Sequence, residues 1–356
     1  MHEMRDETPM KTPYLRLRIF LIIFLGFLIT ACPKTPEMPD RSEISTGYDL
    51  QEVSVDTSLG GLFFLDGQKG WATGNKGVIL HTQDGGKNWV VQETGTKILI
   101  VSVFFINEKL GWAVGDSGLI AHTKDGGLTW GPQGSGEKKK DLTHVFFINE
   151  KEGWVTGVKG VLLSTEDGGL RWTAVKGDSQ MTMNQILFTD ADHGWIVAQK
   201  GKLLYTENGG KNWTLRETGT KIDLLQIDFV NDKVGWIVGS AGLVLKTDDG
   251  GKNWFRQKSG VSSLFTGLSF VDENTGWLVG AGGMVLRTRD GGESWQQQTT
   301  GTLQFLTAVH FSDEKHGWIT GTKQTLLYTE TGGEAPPSED ASKSAVSVSE
   351  QENASP

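Results

Sequence analysis

Five aspartates stand in one repeated setting along this chain. Asp84, Asp125, Asp167, Asp249 and Asp290 each follow a threonine by two residues and precede a glycine by two and a tryptophan by five, as in Thr123, Asp125, Gly127 and Trp130. A carboxylate among turn glycines can act as a general acid or base, ligate a metal, or accept the backbone hydrogen bonds that lock a turn. Repetition favours the lock, because one active site has no use for equivalent carboxylates spread along a chain. The exceptions favour it too: Asn208 takes the aspartate's place in the fourth copy and Thr331 in the seventh. Asparagine still accepts turn hydrogen bonds but is no acid or base at neutral pH. In this reading the residue at the head of the turn accepts from N–H groups two residues on, the glycines supply positive φ, and the tryptophan covers the turn. Burying one indole removes about 150–250 Å² from water, roughly 4–6 kcal/mol gross, so packing alone accounts for these tryptophans. The structural set is therefore Asp84, Asp125, Asp167, Asn208, Asp249 and Asp290, and no catalytic residue is assigned.

Other chemistry is thinly represented. Cys32 is the only cysteine, which excludes an intrachain disulfide and a two-cysteine metal site. His81 and His122 share a repeat position with Ser164, Tyr205, Lys246, Arg287 and Tyr328, which reads as a polar strand surface rather than ligation. His144, His193, His310 and His316 show no metal-ligand spacing. The Gly-x-x-Gly elements fall between strands, not between a strand and a helix as a phosphate loop requires. No metal or cofactor is expected.

The elements that carry these residues follow from the repeat. Gly-Trp pairs place Trp71, Trp112, Trp154, Trp195, Trp236, Trp277 and Trp318 at spacings of 41 or 42 residues, and in the first six copies a second tryptophan follows 18 residues later, which uses all 13 tryptophans. Alternation and turn residues divide a unit into four strands. In the second copy strand A is "IVSVFFI" (100–106), B is "WAV" (112–114), C is "LIAHT" (119–123), and D begins near "TWGPQ" (129–133). Four-stranded units of this length repeated seven times predict an all-β, seven-bladed β-propeller; a solenoid would need polar caps that neither end supplies. The seventh unit lacks strand D. "GYDLQEVSV" supplies it, because Tyr48 precedes Phe63 by 15 residues, as Trp89 precedes Phe104. The N-terminal strand is expected to complete the last blade by pairing with "TLLYT" (325–329).

Outside the repeats the chain changes character. Arg16 and Arg18 precede the apolar run "IFLIIFLGFLIT" (19–30), whose twelve residues would span roughly 18 Å as a helix, too short for a hydrocarbon core of about 30 Å. An export signal is read instead. "ITAC" resembles the lipobox of bacterial lipoproteins, which makes Cys32 the lipidation site and implies a lipid anchor on the exported side of a bacterial membrane. The expected organisation is a signal and lipobox (1–32), a tether (33–47), the propeller (48–333) and a disordered tail (334–356). A net charge of −9 argues against nucleic acid as a partner. A monomer is expected.

Connectivity sorts the charges into two ends. The D/A loops and B/C turns share one end, which collects Lys76, Lys97, Lys138, Lys139, Lys140, Lys159, Lys200, Lys221 and Lys323, with lysine at the same place in four B/C turns. The A/B turns and Asp hairpins form the other end, richer in acids such as Asp66, Glu108, Glu150, Asp190, Asp232, Asp272 and Asp313. Such a surface suits an acidic protein partner.

Thr-x-Asp-x-Gly-x-x-Trp resembles the Asp box of bacterial neuraminidase repeats. Sialidases with that repeat need three converging arginines and a tyrosine nucleophile paired with glutamate. The propeller here offers only Arg171, Arg216, Arg256, Arg287 and Arg289, with Tyr48, Tyr205 and Tyr328. The combination "GWxVGxxGxxxxTxDGGxxW", seven units, a leader and an N-terminal closing strand is similar to the photosystem II stability and assembly factor family. That resemblance spans about 48–333 and implies a non-enzymatic, membrane-associated scaffold that holds a partner during complex assembly. It also implies an arginine-rich binding face, matched here by Arg216 and Arg256 beside Lys76, Lys97, Lys159, Lys200, Lys221 and Lys323. The alternative is a cell-surface carbohydrate-binding or sialidase-like hydrolytic propeller.

Overall fold

A computed structural model describes residues 46–137, 139–175 and 180–336. The signal segment, Cys32, nearly all of the tether, and the tail beyond 336 lie outside the described residues.

Short alternating segments bounded by glycine form strands, and the strands form seven four-stranded antiparallel sheets. In blade two the strands run Ile100–Phe105, Gly111–Gly115, Leu119–Thr123 and Gly131–Gly134, paired in chain order. Strand D thus starts after its tryptophan, not before it. Strand A is innermost and strand D forms the rim. Each Gly-Trp segment is strand B, and in blade two all five of its residues are buried because neighbouring blades cover both faces of the sheet.

One aromatic contact holds neighbouring blades together. The strand-B tryptophan packs on the phenylalanine that ends strand A of the next blade: Trp112 and Phe147 have ring centroids 3.6 Å apart, and Trp318 reaches round to Phe64 at 3.9 Å. The glycine of Gly-Trp makes room for that phenylalanine. A Cβ on Gly111 would lie 2.4 Å from a carbon of the Phe105 ring. Six such cores recur, and a smaller seventh cluster involves Leu59, Ala72, Leu80 and Leu326.

The ring closes as the spacing predicts. Gly47–Leu50 is the outer strand of the last blade, pairing Asp49 with Tyr328 and Leu50 with Leu327. Tyr48, 2% exposed, fills the tryptophan slot. Its hydroxyl donates to Gln298 Oε1 at 2.6 Å, where Trp130 and Trp172 in their blades donate to Gln92 and Gln133 at 3.3 Å. Gly47 pairs with Gly333 in the last hairpin, so the propeller is entered and left at the Asp-hairpin end. Composition put Glu334 in the tail. The structure ties it to Arg287 at 2.8 Å and Arg289 at 2.6 Å, and this latch stands where the seventh hairpin lacks its aspartate.

Candidate functional site

The Asp hairpins are locks of a different pattern from the one expected. The aspartate's main backbone donor is not two residues on but four. Asp125 Oδ1 accepts from the Thr129 N–H, four residues on, at 2.9 Å and from the Thr123 hydroxyl at 2.8 Å. Thr123 Oγ1 in turn accepts the Gly127 N–H at 2.8 Å. Asn208 reproduces this, accepting from Asn212 N–H and the Thr206 hydroxyl at 3.0 Å each. The two positive-φ glycines of each hairpin bend the chain far enough for residue four to reach back. Hydrogen bonds, first from the Thr129 hydroxyl and then from its N–H, hold the Asp125 carboxyl down at about 2. Asp84, Asp167, Asp249 and Asp290 are also lowered. All five are therefore anions used as acceptors.

A second lock was not read from the sequence. Gln92 on strand D donates to the Gly126 carbonyl of the next hairpin at 2.8 Å while accepting from Trp130, and Gln133 does the same with Gly168 at 3.1 Å and Trp172. A third joins the other end: Thr94, Ser135, Thr218, Ser259 and Thr300 donate to the B/C-turn carbonyls of Gly77, Gly118, Gly201, Gly242 and Gly283 at 2.7–2.9 Å. Its sequence signal is a Thr-Gly or Ser-Gly pair in the D/A loops.

The B/C turns carry the feature with least structural justification. Lys76, Lys159, Lys200 and Lys323 sit at φ of 60°, 54°, 61° and 50°, in the left-handed region, and are exposed. Blades two and five hold Ser117 and Ala241 there at φ of 57° and 54°, and blade six holds Gly282 at 73°. Holding a side chain there costs roughly 1 kcal/mol or more, and glycine would avoid it. Lys97 and Lys221 are exposed in neighbouring D/A loops. Carboxylates share this end: Asp223 Oδ1 accepts the Lys200 N–H at 2.7 Å, Asp141 Oδ1 accepts the Ser117 N–H at 3.0 Å, and Lys140 pairs with Glu137 at 2.9 Å. The end is therefore mixed, with carboxylates among the lysines. Lys138 lies outside the described residues.

Arg216 and Arg256 are not among those lysines. Both belong to outer strands, Thr214–Arg216 and Phe255–Lys258, and stand exposed on the rim. The sequence places them near the lysines because strand D leads into a D/A loop; the strand itself keeps them on the side wall. The other arginines do not converge. Arg287, 6% exposed, lies over Trp277 with its guanidinium carbon 4.8 Å from the ring centroid, and shares Glu334 with Arg289.

The histidines are structural. His81 stacks on Trp71 at 4.6 Å and His122 on Trp112 at 5.0 Å, as Tyr205 does on Trp195 at 4.3 Å. His193 and His316 cap A/B turns through Asp190 and Asp313 at 2.8 Å. Asp66, Asp190, Asp272 and Asp313 all accept turn N–H groups there, which explains much of the acidity of that end. On the innermost strands, polar side chains stitch one blade to the next: Gln226 accepts the Leu268 N–H at 2.8 Å, Asp228 that of Phe270 at 3.0 Å, and Ser269 that of Phe311 at 3.0 Å. Burial pushes the Asp228 carboxyl up to about 6, and holds His144 and His310 down at about 4. No cluster of three metal-ligating side chains occurs among the described residues.

This combination of repeat, closure and hairpin has a known counterpart. The family model for photosynthesis system II assembly factor YCF48 matches residues 88–183, 171–259 and 257–335. The chain belongs to the YCF48 family. A structure of YCF48 bound to a D1 peptide has a TM-score of 0.69 at 22% identity, covering 80% of this chain and 97% of that one. YCF48 from Cyanidioschyzon merolae gives 0.67 at 18% identity, covering 80% and 98%. The Niastella koreensis GH74 enzyme gives 0.68 at 12% identity, covering 79% of this chain and 54% of that one. At these identities the structural likeness is one of fold. No curated protein sequence matches the chain.

Proposed function

We propose that this YCF48-family chain is a non-enzymatic scaffold, exported and held at a bacterial membrane through lipid on Cys32, that binds a protein partner during assembly of a membrane complex. The observation that carries the reading is lysine at four left-handed B/C turns, where glycine serves blade six without strain. Ser117 and Ala241 hold the same left-handed place in blades two and five, so what points to use is the recurrence of one charged residue at four exposed turns. A YCF48 structure holds a D1 peptide, so the partner proposed here is a polypeptide of a membrane complex. Attachment through the N-terminal strand fits this geometry, because that strand starts at the Asp-hairpin end. The sialidase-like alternative lacks support in the site: Arg287 and Arg289 share Glu334, Arg216 lies over Tyr205, and Tyr48 is tied to Gln298, so three arginines do not converge beside a tyrosine.

Lysine-reactive crosslinking of the protein in its native membrane, read by mass spectrometry, tests the reading. Links to a membrane-complex subunit are expected from Lys76, Lys97, Lys159, Lys200, Lys221 and Lys323. Links confined to Lys87, Lys211 and Lys252 on the hairpins would place docking at the wrong end.

A further inference from the structure

One position of the Asp hairpins changes character in two adjacent blades. Three residues beyond the locking position, blades one, four, five, six and seven carry Lys87, Lys211, Lys252, Glu293 and Glu334, a charge in every case. Blades two and three carry Leu128 and Leu170 there. The position is exposed in all seven blades, which suits a charge and leaves a leucine in water. Leu128 and Leu170 are 79% and 82% exposed, more than any other large hydrophobic side chain among the described residues. They pack into none of the blade cores. Single exposed leucines are ordinary, but a pair at one repeat position of neighbouring blades is an apolar feature of the surface.

Both leucines are held in place. Asp125 Oδ1 accepts the Thr129 N–H and Asp167 Oδ1 accepts the Arg171 N–H, each at 2.9 Å, so each lock closes on the residue directly after its leucine. The glutamine clamps then fix the hairpins to the preceding blades, Gln92 to Gly126 and Gln133 to Gly168. A tip already ordered in this way gives up little conformational entropy when it is buried in something else.

The course of the chain says what that is. Gly47 pairs with Gly333 in the last hairpin, so the N-terminal strand enters at the end that bears the leucines. Cys32 lies fifteen residues before Gly47, a reach of at most about 50 Å. Lipid on Cys32 therefore keeps these tips within that distance of a bilayer. Exposed Lys124 and Arg171 share the two hairpins, and long cationic side chains of this kind stay at the headgroups while apolar neighbours go deeper. The exposed acids of the same end, Glu108 and Glu150 among them, do not suit recruitment by anionic lipid, which leaves the apolar tips as the attraction.

We propose that Leu128 and Leu170 dip into the bilayer that holds the N-terminus, so that the Asp-hairpin end of the propeller rests on the membrane at blades two and three. Two leucines are too little to recruit the protein, and an acyl anchor alone sets no orientation; the anchor supplies the local concentration and the tips supply the orientation. The inference rests on the membrane-anchor reading above.

The test places the photo-crosslinker p-benzoyl-phenylalanine at position 128, 170 or 117 of the full chain in its native membrane and reads the adducts by mass spectrometry. Lipid adducts are expected at 128 and 170 and not at 117, in the B/C turn of blade two. Protein adducts in their place, to a partner or to a second copy, would overturn the proposal, as would equal lipid yield at 117 or none at 128 and 170. Because the probe is itself apolar, a second measurement uses Leu128→Lys with Leu170→Lys, the residue of blades one, four and five, which is expected to keep the parent's Tm. On phosphatidylcholine vesicles, acetylation of Lys124 is expected to be at least fivefold slower in the parent than in this variant, with Lys159 equal in both; equal rates at Lys124 would overturn the proposal. The mass of the N-terminal peptide reports the acyl group directly. An acyl group without lipid adducts at 128 and 170 fails the tips alone, and adducts without an acyl group fail the anchor alone.

Discussion

Asp125 and Asn208 occupy one place in their hairpins and make the same pair of bonds. Asp125→Asn is therefore expected to keep a Tm near the parent's, while Asp125→Ala, which orphans the Thr129 N–H, lowers it; thermal unfolding of the two variants side by side decides this. The carboxyl's pKa of about 2 against 3.8 unfolded means the unfolded chain binds the proton more tightly. The stabilisation is complete above pH 4 and fades as pH falls from there towards 2. Asp228 works in the opposite sense. Its carboxyl titrates near 6 when folded, so the native state keeps a proton that the unfolded chain has released, and stability drops as pH rises from about 4 through 6. Asp228→Asn keeps an acceptor for the Phe270 N–H and removes that loss, so its Tm gain over the parent should grow across this window. The hairpin role was legible because six copies, one with asparagine, separate an acceptor from an acid. The glutamine clamp was not, because Gln92 meets Gly126 across a blade boundary, 34 residues away, and no local spacing marks that contact.

The strand that closes the ring shows what can be read at the scale of an element. Fifteen residues from Tyr48 to Phe63 repeat the distance from Trp89 to Phe104, and that register alone located Gly47–Leu50 in the last blade. Deleting 47–56 is expected to abolish cooperative unfolding, since it opens the ring at both the last blade and the first; an unchanged melting curve would refute the closure. Tyr48→Phe removes the hydroxyl's bond to Gln298 and should cost about 0.5–1.5 kcal/mol in denaturant unfolding. The Glu334 latch was hidden by its neighbours, "EAPPSED", whose composition is that of a solvated tail. Yet Glu334 is the acceptor for Arg287, a cation 6% exposed. Glu334→Gln is expected to destabilise by about 1–3 kcal/mol in the same assay, because a charged donor loses its ionised partner.

The molecule as a whole is a ring of near-identical parts, and its function is sought where the parts differ. Seven blades and their order were legible from tryptophan spacing, since each blade spends the same residues on the same contacts. Departures from the pattern carry no periodic signal of their own: left-handed lysines look like ordinary turn residues. The central claim is that the lysine end is kept for docking at a cost in stability. Its most direct test replaces Lys76, Lys159, Lys200 and Lys323 together by glycine, then measures Tm and the affinity for the partner identified by crosslinking. The account predicts a Tm equal to or above the parent's, because glycine relieves four left-handed side chains, with affinity reduced at least tenfold. Unchanged affinity would contradict it.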